Sequence, residues 1–395
     1  MITVNEALAQ ILAYATSFGV EEIPLLQSTN NVLAQDVIAD RDFPPYHRVT
    51  MDGIAINTQA FEGGKKDFRI ENIQAAGAPL QQLKDGDNCI EVMTGAVLPN
   101  GTNAVIPYEE CEIKDGVAKV QSTSIKPFQN VHLQGTDCEQ GTVLIQKNTT
   151  IKPAHIGIMA TVGLHKVLVH KKPSIAICST GDELINVEDT PLPHQIRKSN
   201  VYMLAAALQQ EGIAAKLYHM KDDKEAMQEQ LTTILNESDV LLLSGAVSKG
   251  KFDYLPEVLT ALGMQTVFHR VAQRPGKPFL FGAFANNKLV FGFPGNPVST
   301  FVCYHVYCKQ WLYASLHRTT KKATVRLAKS ITFLPKLSFH IMVTLEYKEG
   351  ILYANPIIGA NSGDMPSLIH ADGIITLPAE KDTFEEGAIF EVTYC

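Results

Sequence analysis

One stretch of this chain leaves little freedom of fold: residues 290–299, VFGFPGNPVS. An apolar, strand-like run stops at Pro294, Gly295, Asn296 and Pro297, and an apolar, helix-like run over 298–312 follows at once. Proline cannot donate into a sheet ladder, yet its fixed φ suits the first turn of a helix. The composition therefore predicts a strand feeding a helix through a tight turn. A helix N-terminus carries roughly half a positive charge and turns N–H groups toward an anion. Two turns of the same kind are expected upstream, where residues 174–180 lead into STGDEL and residues 240–244 into SGAVSKG. Three such turns predict an open, doubly wound α/β domain. Ligands of such sheets sit outside the carboxyl ends of the strands, so a polyanionic ligand is expected there.

Composition excludes several function classes. With 395 residues the chain is expected to hold two to four domains. Hydrophobic residues at 45% and charged residues at 19% give a globular balance. The net charge is −7 and no basic run exceeds two residues, which argues against a nucleic-acid face. The seven cysteines form no CxxC pair, an odd and unpaired set that fits a reducing compartment. Cys303 and Cys308 fall in an apolar helical run and read as core thiols. No Lys or Arg precedes Arg41, so no targeting leader is expected. No apolar run approaches the roughly 20 residues of a membrane span. The expectation is a cytoplasmic protein with no membrane partner.

The pattern along the chain divides it into four regions. Val4, Ala7, Leu8, Ile11, Leu12 and Ala15 recur at helical spacing, and residues 1–40 read as helices. Residues 61–145 carry short alternating runs broken by Gly, Asn and Asp, the pattern of a β-rich domain. Residues 150–171 read as helical again. The expected organisation is a split helical domain (1–45 and 146–172), an inserted β-rich domain (46–145), an α/β domain (173–317) and a C-terminal β-barrel or sandwich (318–395).

Four segments can carry chemistry. GAVSKGK at 245–251 matches the first seven positions of a P-loop, but Phe252 stands where a magnesium-binding Ser or Thr is needed. Gly245, Ser248 and Gly250 can still cradle an oxyanion, and Asp253 could hold a metal; a plain loop with a capping Asp is the alternative. In STGDEL, Asp182 and Glu183 beside Gly181 would repel a phosphate unless magnesium intervened; the alternative is acids in the first turn of a helix. Arg274 and Lys277 of RPGKP can pair with oxyanions, or simply sit on a solvated turn. Asp52 of TMDG reads by itself as a turn residue. No histidines have metal-ligand spacing.

In this order the segments resemble one family, the molybdopterin molybdenumtransferases (MoeA-like), homologous to the C-terminal domain of gephyrin. The landmarks are LAQDVIADRDFPP (33–45), MDG (51–53), MTGA (93–96), QGTD (134–137), STGDEL (179–184), KSN (198–200), SGAVSKGKFDY (244–254), RPGKP (274–278), PGNPVS (294–299) and NSGDM (361–365). The resemblance implies a homodimer of four-region chains. It also implies magnesium-dependent cleavage of adenylylated molybdopterin, release of AMP and transfer of molybdenum from molybdate. A molybdopterin adenylyltransferase would supply the substrate, and molybdoenzyme apoproteins would take the product. Carried over by position, Asp52, Thr94 and Asp137 fall in a cleft formed with the neighbouring subunit. Glu183 and Asp253, with Asp182, are the candidate magnesium ligands. Thr180, Gly181, Ser244, Gly245, Ser248 and Gly250 line the phosphate cradle. Arg274 and Lys277 are cations for phosphate or molybdate, Lys277 also being a candidate catalytic group. Pro294, Asn296, Pro297 and Ser299 form the third turn, and Ser362 faces it from the C-terminal domain.

The chain departs from the family pattern in places. HRVT at 47–50 replaces an acid-Asn-Ser-Ala run, and Ile54 replaces a common Tyr. HLQ at 132–134 stands where arginines are frequent, and Thr136 replaces a usual Glu. Arg197 and Lys198 stand for Tyr and Asp, and Ala246 stands for Gly. Arg48 and Arg197 are the expected compensation for the arginines missing at 132–134. The alternatives are a molybdopterin adenylyltransferase, which needs only the α/β domain, and a non-catalytic scaffold or carrier. The retained acids and cations favour the transferase.

Overall fold

The computed structural model describes residues 1–245, 254–319, 323–357, 359 and 361–395. It divides into two compact units. The larger holds Met1–Ala34, Asn148–Lys152 and Lys166–Cys395, and the smaller holds Gln35–Lys147 and Pro153–His165.

The larger unit is built on a six-stranded sheet. Its order is Lys216–Met220, Ile175–Thr180, Val240–Ser244, Leu289–Phe293, Leu280–Ala283 and Gln265–His269. The first four strands are parallel and the last two add antiparallel to the edge. The strands alternate between two cores, as a period of two requires. Ile175, Ile177, Val240, Leu242, Leu289, Phe291 and Phe293 face one layer. Ala176, Cys178, Leu241, Leu243 and Val290 face the other. Helices Val4–Leu12, Asn200–Gln210 and Pro297–Cys303 cover the first layer, while Lys224–Glu237 and Leu255–Ala261 cover the second. Burial on both faces explains why the parallel strands read as continuous apolar runs. The expected doubly wound α/β domain is present, with two edge strands that the apolar pattern did not announce.

Of the three expected strand-to-helix turns, the third runs directly into a helix and the first does not, while most of the second lies outside the described residues. Pro297–Cys303 starts straight after strand Leu289–Phe293 and continues through a π-helical turn, Tyr304–Cys308, into Lys309–Ser315. After Thr180 the chain instead forms a short strand, Leu184–Ile185, paired with Ile196–Arg197, before helix Asn200–Gln210. Asp182 and Glu183 therefore do not cap a helix. Cys303 and Cys308 are fully buried core thiols, and burial raises the pKa of both.

Helical reading of the N-terminal segment holds only over Val4–Leu12, which opens with a Thr3–Glu6 capping box. Gly19 at φ 91° then turns the chain into strand Val20–Pro24, antiparallel to Lys166–His170. The latter also read as helical. Its Val167 and Val169 are buried while Lys166 is exposed, and this β-branched alternation outweighs the weak helical period.

The C-terminal strands close into a five-stranded barrel, resolving the expected choice between barrel and sandwich. Ser338–Lys348 pairs with Ile351–Pro356 through residues 343–348 and with Gly373–Leu377 through residues 339–343. Ala323–Leu327 and Ile389–Tyr394 complete the ring.

In the smaller unit a six-stranded sheet runs Ala104–Pro107, Gly53–Ile56, Cys89–Val92, Asp67–Gln74, Val117–Val120 and Cys111–Lys114. Asp52 lies in a bend, as its turn reading expected, and Gly53 opens the strand. A Cβ there would overlap the carbonyl of Ile106, so this ladder admits only glycine.

A buried ion cluster ties the end of helix Asn200–Gln210 to the chain beyond Ser315. Glu211 is 6% exposed and binds Arg318, the Tyr313 hydroxyl (2.8 Å) and, at 3.8 Å, the Lys309 ammonium. Removing one partner of such a pair strands a buried charge, at a cost of about 3–5 kcal/mol. Arg318→Met is therefore expected to lower the melting temperature clearly, and adding Glu211→Gln should recover part of the loss. Calorimetry of the two variants checks this; an unshifted Arg318→Met melt would mean the pair contributes nothing.

Candidate functional site

The carboxyl ends of the three central strands meet at Thr180, Ser244 and Pro294. Gly245, at φ 97°, donates its N–H to the Phe293 carbonyl at 3.2 Å, and a Cβ on it would press on Thr180. Asn200 bridges the second and third strand ends, donating to Ser244 Oγ at 3.0 Å and to the Gly295 carbonyl at 2.7 Å. The Gly295 carbonyl can only accept, which fixes the amide orientation. Among the described residues, Asn200 Oδ1 and Thr180 Oγ1 are left buried without a partner. Asn200 is the first residue of helix Asn200–Gln210, and its side chain is spent on the strand ends. It is a site residue that spacing could not reveal, although KSN marks its position.

Asp182 and Glu183 are exposed beside this convergence. Gly181, at φ 126°, is packed under the Glu183 carboxylate, which occupies the space a Cβ would need. Asp182 Oδ1 accepts the Asp222 N–H at 3.4 Å. Nearby, His219 Nδ1 lies 3.0 Å from Ser179 Oγ. Burial, and then the Lys198 charge, lowers the His219 pKa. Among the described residues no group of three or more His, Cys, Asp or Glu is gathered to hold a metal. Ser248, Gly250 and Asp253 lie outside the described residues.

Next to the strand ends is a cavity of about 440 Å³ lined by Arg274, Lys277, Pro294, Asn296, Ser299 and Ser362, among others. It lies between the α/β layer and the barrel, whose Phe339, His340 and Met342 form one wall. Arg274 and Lys277 are exposed, while Gln273 and Gly276 between and beside them are buried, so the turn presents both cations outward. The third turn behaves differently from expectation. Pro297 has no N–H, Val298 donates to the Ser362 carbonyl at 3.2 Å, and Asn296 donates to Ser362 Oγ at 2.6 Å. The barrel loop thus takes part of the helix terminus, and Arg274 and Lys277 supply the full positive charges.

Asp52, Thr94 and Asp137 lie in the smaller unit. Asp52 Oδ1 accepts the Thr94 N–H at 2.6 Å and the Thr94 hydroxyl at 2.7 Å. These two bonds, the backbone one first, lower its pKa below the ordinary carboxylate value. Asp137 Oδ1 pairs with His132 Nε2 at 2.9 Å, and His132 Nδ1 lies 3.1 Å from Arg48 Nη2. Arginine only donates, so Nδ1 accepts and the Nε2 proton points at Asp137. Arg48 therefore reaches the segment where arginines were missing. Arg197 instead donates to the Asp189 carbonyl at 3.0 Å.

Three family models match the chain in sequence order. They are the MoeA N-terminal region (domain I and II) over residues 2–163, the "Probable molybdopterin binding domain" over 176–314, and the MoeA C-terminal region (domain IV) over 324–394. A molybdopterin molybdenumtransferase of Synechocystis sp. is 37% identical over 394 residues, covering 99% of both chains. One from Staphylococcus epidermidis is 31% identical, covering 99% of this chain and 95% of its own. The molybdopterin biosynthesis MoeA protein of Pyrococcus horikoshii superposes with a TM-score of 0.87 at 28% identity, over 100% of this chain and 99% of its own. The cations, acids and strand-end turns described above thus stand in a chain that matches its relatives from end to end, and it belongs to the molybdopterin molybdenumtransferase family.

Proposed function

We propose that this enzyme inserts molybdenum from molybdate into adenylylated molybdopterin, cleaving the phosphoanhydride with magnesium and releasing AMP. The observation that carries the reading is the grouping of Arg274, Lys277, Asn296, Ser299 and Ser362 around one cavity, with Asp182 and Glu183 following the carboxyl end of another strand of the same sheet. Arg274 offers a planar fork and Lys277 a point charge, the two ways a side chain holds a tetrahedral oxyanion. The Thr180 hydroxyl, without a partner among the described residues, offers a hydrogen-bonding group at the strand ends, and Gly245 leaves the space beside it open.

The donor set fits magnesium, which takes one or two carboxylates together with waters and substrate phosphates. Glu183 and Asp253 would hold it, with Asp182 a further candidate, and the ion when bound would offset phosphoanhydride charge. Exposed carboxylates at the same end of the sheet as a cation-lined cavity suit a phosphate ligand carrying its own cation. Asp52, kept ionised by Thr94, and Asp137, oriented by His132, supply fixed negative charge that could accept a proton or orient a water. The reading retains a cytoplasmic homodimer, an adenylyltransferase upstream and molybdoenzyme apoproteins downstream.

AMP release from adenylylated molybdopterin with magnesium, measured with and without molybdate, tests the assignment. Molybdate-stimulated release is expected; tight binding with no release under either condition would make the protein a carrier. Lys277→Ala should raise the half-saturating molybdate concentration about 10- to 100-fold, the worth of one charge-assisted hydrogen bond. An unchanged value would exclude Lys277 from molybdate binding.

The Asp52–Thr94 contact has a definite pH sign. A lowered folded-state pKa contributes stability above the unfolded value, and that contribution is lost as pH falls through the folded value. Thr94→Val removes one of the two donors, so the Asp52 carboxyl should titrate at higher pH than in the wild type. Carboxyl-carbon NMR titration checks the direction, and coincident curves would show that the hydroxyl does not stabilise the carboxylate.

A further inference from the structure

We propose that Gln273 and His340 are positioning residues that set the Arg274–Lys277 turn against the cavity, in the molybdate-binding role proposed above. A hydrogen-bond relay lies behind the turn. Gln273 is fully buried, His340 is 2% exposed and Tyr307 is fully buried. Gln273 Nε2 donates to the Gly276 carbonyl, inside the turn, at 2.9 Å. Its Oε1 accepts from the Tyr307 hydroxyl and, at 3.1 Å, faces His340 Nε2. His340 Nδ1 lies 2.9 Å from Thr376 Oγ1 in the neighbouring barrel strand.

Elementary donor–acceptor logic fixes every proton in this chain of contacts. The Gly276 carbonyl can only accept, so the Gln273 amide cannot be flipped. Its oxygen must then receive both Tyr307 O–H and His340 Nε2–H, and in the neutral ring His340 Nδ1 accepts from Thr376. Burial favours that neutral imidazole, drawing the His340 pKa down to about 4. A Cβ on Gly276, at φ 84°, would strike Cys303 Sγ, so the turn is pressed on helix Pro297–Cys303 and cannot retreat. The relay thus connects a barrel strand, the cation turn and the helix that opens with PGNP. A barrel that moved relative to the turn would break it.

The test is the molybdate dependence of AMP release, together with calorimetric titration of molybdate and a thermal melt for each variant. In His340→Leu the half-saturating molybdate concentration should rise about ten-fold, while kcat at saturating molybdate stays within about three-fold. His340→Gln keeps a terminal N–H toward Gln273 and should return the value to within about three-fold of wild type. A folded His340→Leu with wild-type molybdate dependence overturns the proposal, as does a His340→Gln no better than His340→Leu. If His340→Leu does not fold, the near-isosteric Tyr307→Phe decides. It should raise the same concentration about three-fold, and no change refutes the relay. Wild-type protein that binds molybdate but releases no AMP removes the transferase reading and leaves the relay to the calorimetric shift. Wild-type protein that binds no molybdate overturns both.

Discussion

The buried amide of Gln273 is the constraint on which the cavity depends. A primary amide out of contact with water must place two donors and one acceptor, and leaving any of them unmet costs about as much as a lost hydrogen bond. Here the acceptor serves Tyr307 and His340 while the donors serve the Gly276 carbonyl and, at 3.4 Å, Cys303 Sγ. No rotation of the side chain preserves all of these partners. The turn carrying Arg274 and Lys277 is therefore held by its buried residues, and its exposed cations inherit the position.

The same economy governs the turn at 294–297. Its helix needs its first N–H groups satisfied, and the proline at the first helical position removes one donor. The Ser362 carbonyl meets the next donor, at Val298, from the barrel side. What lines the cavity is side-chain chemistry, Arg274 and Lys277 together with Asn296, Ser299 and Ser362 among others. At the other side of this turn, Asn200 spends both donors on Ser244 and Gly295 and keeps the strand ends together.

Arg48, His132 and Asp137 form one hydrogen-bonded set within the segments that depart from the family pattern. Strand pairing sets His132 opposite Arg48, so a cation arrives from the facing strand where the expected arginines are missing. The imidazole between Arg48 and Asp137 is held in one tautomer by its two neighbours. Arg197, the other expected compensation, is engaged by the Asp189 carbonyl within its own segment.

The parallel strands were legible in the sequence because burial on both faces writes them as unbroken apolar runs, and the helices of the α/β layer because their apolar residues recur at helical spacing. The strands Val20–Pro24 and Lys166–His170 were not, since short segments with few polar residues satisfy either period. STGDEL, RPGKP and PGNP announced charge and tight turns, and Arg274, Lys277 and Asn296 do line one cavity. Nothing in their spacing showed that Ser362 would occupy a helix terminus or that Asn200 would link two strand ends. By itself the sequence determined the α/β class, the candidate acids and cations, and the family that they resemble, because composition and periodicity are local properties. The tertiary structure alone decided which polar atoms meet. Gln273 and His340 are 67 positions apart, and only closure of the barrel against the α/β layer makes them partners.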